Sequence, residues 1–193
     1  MTLTLRAIPP LTETALPHLI LDLTLDSLGE ILQQSGYRVE TVTDPIANVP
    51  YLRSATGGLT FDIRPGNRLV GQNPAGQDQG FVDVAFVAVL QVQGELSLDL
   101  VNRWNVTRRF ARLQLSPPFL ALCMDVSVAG GVTPDHLRGH IEIWDRLVQE
   151  LISHLRDELQ QQSVPVGASP RVAQADTPAQ APAAETNPSA TIQ

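Results

Sequence analysis

Lysine is absent: all 13 basic residues are arginine, set against 20 acidic ones, for a net charge of −7 over 193 residues. A field of that sign opposes broad nucleic-acid binding, which needs a dominant positive surface. The arginine bias itself carries no functional weight, since arginine codons are GC-rich. Charged residues are scarce, at 17%, and few charges leave neutral and apolar area open to a partner. Cysteine occurs once, at Cys123, which excludes an intrachain disulfide framework and a Cys-rich metal site. No apolar run approaches the roughly 18 residues of a membrane span. Pro9, Pro10 and Pro17 interrupt an N-terminal segment that also lacks a basic start, so no signal peptide is expected and the location is expected to be cytoplasmic. There is no nucleophile elbow, no G-x-G-x-x-G and no phosphate-loop lysine. Paired carboxylates at informative spacing are missing too. Neither enzymatic activity nor a cofactor is expected.

What is present centres on residues 99–110, which hold Trp104, Asn102, Asn105 and the arginines 103, 108 and 109. The stretch reads as a short helix that breaks at Asn105 and turns into a strand. Around it the chain divides into an N-terminal arm (1–23), a folded domain (24–161) and a Pro/Ala-rich tail (162–193) too poor in large apolar residues to offset its ordering entropy. Thr24 caps a first helix with Leu25, Leu28, Ile31 and Leu32 on one face, and Gly36 stops it. Strands are predicted at 37–43, 51–56 and 59–64, then a long surface loop at 65–80, then the strongest strand at 81–92. That strand is apolar on one face and apolar in the middle of the other, so it is expected to be covered on both sides. Ser97 caps the central helix. Strands at 110–115 and 119–126 form a hairpin, and Thr133 with Pro134 opens a last helix. Its stripe, which includes Leu137, Ile141, Trp144, Leu147, Val148, Leu151 and Leu155, is wider than the roughly 100° needed to cover one sheet. The fold class is α+β, in the order α-β-β-β-β-α-β-β-α, with an antiparallel sheet of about five to six strands.

The candidate site residues have plainer readings beside their functional ones. Trp104 shares a helical face with Leu100 and Val101, which favours a core anchor over a binding platform. Asn105 is placed to adopt a left-handed conformation and end the helix, and Asn102 to hydrogen-bond the following strand. Arg103, Arg108, Arg109 and Arg112 could grip an acidic peptide or a phosphorylated group, or pair with the protein's own carboxylates. His136 and His140 are one helical turn apart, as in helical zinc sites, but the glutamate of a metalloprotease motif and a third ligand are missing, so no metal is expected. Cys123 reads as an inert core thiol, and Gly130 and Gly131 as a turn before a helix cap.

The run Val101, Asn102, Arg103, Trp104, Asn105 followed by Arg109 and Phe110, with Gly130, Gly131, Val132, Thr133 and Pro134 opening a terminal helix, resembles the YbjN family. Its members are bacterial proteins labelled sensory transduction regulators. The resemblance implies a fold similar to that of type III secretion chaperones, which pair into dimers and bind segments of other proteins. A non-catalytic protein-binding module is therefore expected: a chaperone-like adaptor or regulator, working as a homodimer on an unidentified protein client. The doubly apolar strand and the wide helix stripe support pairing independently. A small-ligand sensor is the alternative, with the 65–80 loop as a lid over a pocket near the arginines. An unrecognised enzyme comes third.

Overall fold

The computed structural model describes residues 18–68, 80–93 and 96–163. Most of the 65–80 loop, most of the arm and nearly all of the expected tail lie outside the described residues. The element order is α1 (Leu25–Gln34), β1 (Glu40–Thr43), β2 (Pro50–Thr56), β3 (Leu59–Pro65), β4 (Asp83–Gln91), α2 (Leu98–Thr107), β5 (Ala111–Ser116), β6 (Phe119–Ser127) and α3 (Pro134–Ser163). The six strands form one antiparallel sheet in the order β1-β2-β3-β4-β6-β5. The α+β class and element order are those expected from the sequence.

Local chemistry explains the boundaries. Thr24 and Ser27 close a capping box at α1, with Ser27 N–H donating to Thr24 Oγ1 at 3.1 Å and Thr24 N–H to Ser27 Oγ at 3.0 Å. Gly36, at φ +90°, ends that helix. β1 starts three residues later than the predicted 37–43, because the chain at Tyr37–Val39 swings away from β2; Ser54 Oγ holds the Arg38 carbonyl at 2.8 Å there. The described end of the arm is stitched to the domain. Ile20 and Val132 exchange backbone hydrogen bonds, as do Leu23 and Phe81, and Leu23 is fully buried.

Asp44 shapes the β1–β2 turn by accepting from Ile46 N–H at 2.9 Å and Ala47 N–H at 3.0 Å, with Arg64 at 3.1 Å. Those backbone donors first, and Arg64 after them, hold its carboxyl below the ordinary 3.8. A depressed folded-state value makes the contribution complete above the ordinary value and lost as pH falls through the lower one. Asp44→Asn is therefore expected to lower Tm near neutral pH, and the gap to wild type should narrow as pH falls below the ordinary 3.8. Thermal melts across that range check it; a constant gap would contradict it.

One sheet face carries the core. Leu52, Phe61, Ile63, Val84, Phe86, Ala88, Leu122 and Met124 are buried against the helices. Trp144 of α3 lies over the centre, 5.5 Å from the Phe61 ring and 5.6 Å from the Phe86 ring. Most of the wide α3 stripe is covered within the chain, while Ile152 and Leu155 stay partly exposed. Leu137, Ile141, Trp144, Leu147, Val148 and Leu151 are all buried within the chain, because α1 packs beside α3 and α2 flanks it. His154 of α3 stacks on Trp104 at 5.7 Å between ring centroids. This weakens one of the two grounds for expecting a dimer.

The other ground survives in altered form. β4 points Val84, Phe86 and Ala88 inward and Ala85, Val87 and Val89 outward. Among the described residues no helix covers the outward set, and Val89 is 57% exposed. The expected cover on both sides is absent within the described chain.

Candidate functional site

The central stretch is built differently from its sequence reading. α2 does not break at Asn105 but runs to Thr107, with Arg108 as its extended C-cap. The left-handed residue is Phe110, at φ +72°, which turns the chain into β5 and stands 60% exposed. A bulky aromatic in that region is strained by about 1–2 kcal/mol. Asn102 is exposed, and the strand-holding role expected of it belongs to Asn105.

Asn105 and Trp104 together close the sheet's β5 edge. Asn105 Oδ1 accepts from Leu113 N–H at 2.8 Å, and its Nδ2 donates to Leu113 O at 3.2 Å. Trp104 Nε1 donates to Ala111 O at 3.3 Å, from a fully buried ring. Both partners present their backbone groups away from β6, so side chains of α2 occupy positions that an added strand would take. Trp104 is the core anchor, not a platform.

The arginines do not converge. Arg103 pairs with Glu158, and Arg108 lies with Nε 2.6 Å from Glu150 Oε2 without hydrogen-bond alignment; both tie α2 to α3. Arg108 also sits over the Trp104 ring at 5.6 Å. Arg112 points to the opposite, uncovered sheet face, where it meets Asp125 at 2.5 Å. Arg109 is exposed. Ion pairing explains three of the four, at no more than about 1 kcal/mol each for such exposed pairs.

Two other features have the character of a site. The first is the uncovered sheet face. Its middle is the exposed Val89, the half-buried Ala85, Val87 and Ala121, and Cys123, which its neighbours bury, with Phe119 46% exposed at one end. Arg112 and Asp125 border it on one side. On the other, Tyr51 lies under Arg64 at 4.4 Å and Arg53 at 5.4 Å, and Asp62 bridges both arginines. Burial raises the Cys123 thiol above its ordinary value, in keeping with the inert reading.

The second is a cavity of about 870 Å³ where Tyr37–Val39 diverge from β2, lined by Tyr37, Arg38, Glu40, Arg53, Ser54, Thr56, Thr60 and Asp145 among others. Thr56 Oγ1 donates to Asp145 Oδ1 of α3, and the Tyr37 hydroxyl interacts with both side chains. Residues 37, 56 and 145 are too far apart in the chain for a local motif to reveal them. None of Arg103, Arg108, Arg109 and Arg112 lines this cavity, and neither do the described ends of the 65–80 loop.

His136 and His140 do come together, with ring centroids 4.4 Å apart, but His140 Nδ1 sits 2.9 Å from the His136 carbonyl. No cluster of three metal-ligating side chains occurs among the described residues, and no described helix is long and apolar enough to cross a membrane.

An antiparallel sheet with helices on one face, a second face that no described helix covers and an edge closed by its own side chains defines a small α+β protein. The particular family follows from the sequence comparison. The chain belongs to the YbjN family, described as "Putative bacterial sensory transduction regulator", whose model matches residues 24–157. That is a regulator family by description, not an enzyme family. No curated protein and no solved structure matches the chain.

Proposed function

We propose that this protein is a non-catalytic, protein-binding regulator, a chaperone-like adaptor in a bacterial signalling response, and that it works as a homodimer paired through the bare sheet face. The observation that carries the reading is the apolar middle of that face. Ala85, Val87, Val89, Ala121 and Cys123 form one contiguous strip over two adjacent strands, bordered by residues of both charge signs. A self-complementary contact needs both signs on one patch, because each copy must answer the other. The family description supports the regulatory part, and the client in this reading is a segment of another protein, as the resemblance to the secretion chaperones implies.

Light scattering tests the pairing. The full chain at micromolar concentration is expected at twice its 20.9 kDa mass. Val87→Arg/Val89→Arg, which places two charges on the outward face and none in the core, is expected to run as a folded monomer. A monomeric wild type, or a dimeric double variant, would remove the sheet face from this role.

A further inference from the structure

Asp145 stands apart from the other half-buried carboxylates. Asp44, Asp62, Glu150 and Glu158 each have an arginine, and Asp83 takes the backbone and side-chain N–H groups of Asn67. Asp145 has hydroxyl groups alone, from Thr56 and Tyr37, and forms no ion pair among the described residues. A carboxylate offers about four acceptor positions, so capacity remains on the side that faces the cavity. An ammonium group entering the cavity could take up that remaining capacity with a charge-assisted hydrogen bond. At the mouth of the same cavity stands Arg38, exposed and without an ion-pair partner among the described residues, whereas Arg53 is committed to Asp62. The lining therefore carries a carboxylate without a cation on the helix side and, at the rim, Arg38 and Glu40, neither with an ion-pair partner among the described residues. Its volume of about 870 Å³ falls within the range of small-molecule sites.

We propose that this cavity binds a small zwitterion of the amino-acid or short-peptide class. Its ammonium group meets Asp145, with Thr56 and Tyr37 fixing the carboxylate, and its carboxylate meets Arg38. Burial, and after it the Asp145 charge, push the Tyr37 hydroxyl above its ordinary 10.0, which keeps it neutral and able to donate. The site is separate from the apolar strip of the sheet face: it lies at the β1–β2 edge and shares with that face's border only Arg53.

The test is amide chemical-shift titration of the ¹⁵N-labelled full chain. The probes are L-alanine, L-phenylalanine and dialanine, each beside its N-acetyl counterpart, which lacks the ammonium group. At least one free zwitterion is expected to shift the Tyr37, Thr56 and Asp145 resonances saturably, with its N-acetyl form at least about tenfold weaker, as the loss of one charge-assisted contact implies. Asp145→Asn should weaken binding by a similar factor, and Arg38→Ala should weaken it while leaving the preference for a free ammonium group intact. Should Asp145→Asn lose its dispersed spectrum, Tyr37→Phe is the second variant and should weaken binding several-fold. No saturable shift from any probe up to about 10 mM, which corresponds to about −2.7 kcal/mol, would overturn the proposal. Equal binding of the N-acetyl forms would overturn it as well.

Discussion

Trp104→Ala is expected to lower the free energy of unfolding by about 3–5 kcal/mol. The ring is fully buried between α2, β5 and His154, so truncation leaves a cavity that the surrounding sheet cannot close. It also strips the hydrogen bond from Ala111 O, and an acceptor left unpaired at a part-buried edge adds to the loss. Trp104→Phe separates the two effects, since it keeps much of the volume and drops only the N–H; it should cost clearly less. Urea denaturation with an unchanged m-value measures both. A loss below about 1 kcal/mol for Trp104→Ala would mean that the residue is not the anchor described here.

Asn105→Ala is expected to cost about 1 kcal/mol, because two backbone groups on Leu113 lose their partners at a part-buried edge that water can reach. Asn102→Ala, three residues away and, though exposed like Asn105, without a hydrogen bond to the strand, should stay within about 0.5 kcal/mol. The contrast is the informative part, because composition and helix position treat the two asparagines alike. Loss of Asn105 also frees the outer edge of β5, so concentration-dependent association should appear in the variant. Equal effects of the two substitutions would show that the edge is held by packing alone.

Much of the architecture could be read before any coordinates, for identifiable reasons. The caps at Thr24, Ser97 and Thr133, the left-handed Gly36 and the alternation in β3, β4 and β6 are local signals, each arising from a few neighbouring residues. Where a boundary was misjudged, a tertiary contact intervened. Tyr37–Val39 are β-prone, yet they leave the sheet to wall a cavity with α3. Asn105 has the composition of a helix stop, yet its amide is worth more against Leu113 than in a left-handed turn, and the strain moves on to Phe110. The arginines looked like a cluster because they are close in sequence, but a helix followed by a strand sends their side chains to opposite faces of the sheet.

The sequence by itself determined the α+β order, the six strands and the family, because periodicity, capping and turn chemistry are written residue by residue. Only the tertiary structure decided which asparagine guards the edge, that most of the last helix's stripe is covered by its own chain, and that Tyr37, Thr56 and Asp145 meet. Such meetings depend on how distant segments pack, and no local pattern encodes a contact between residues 89 positions apart.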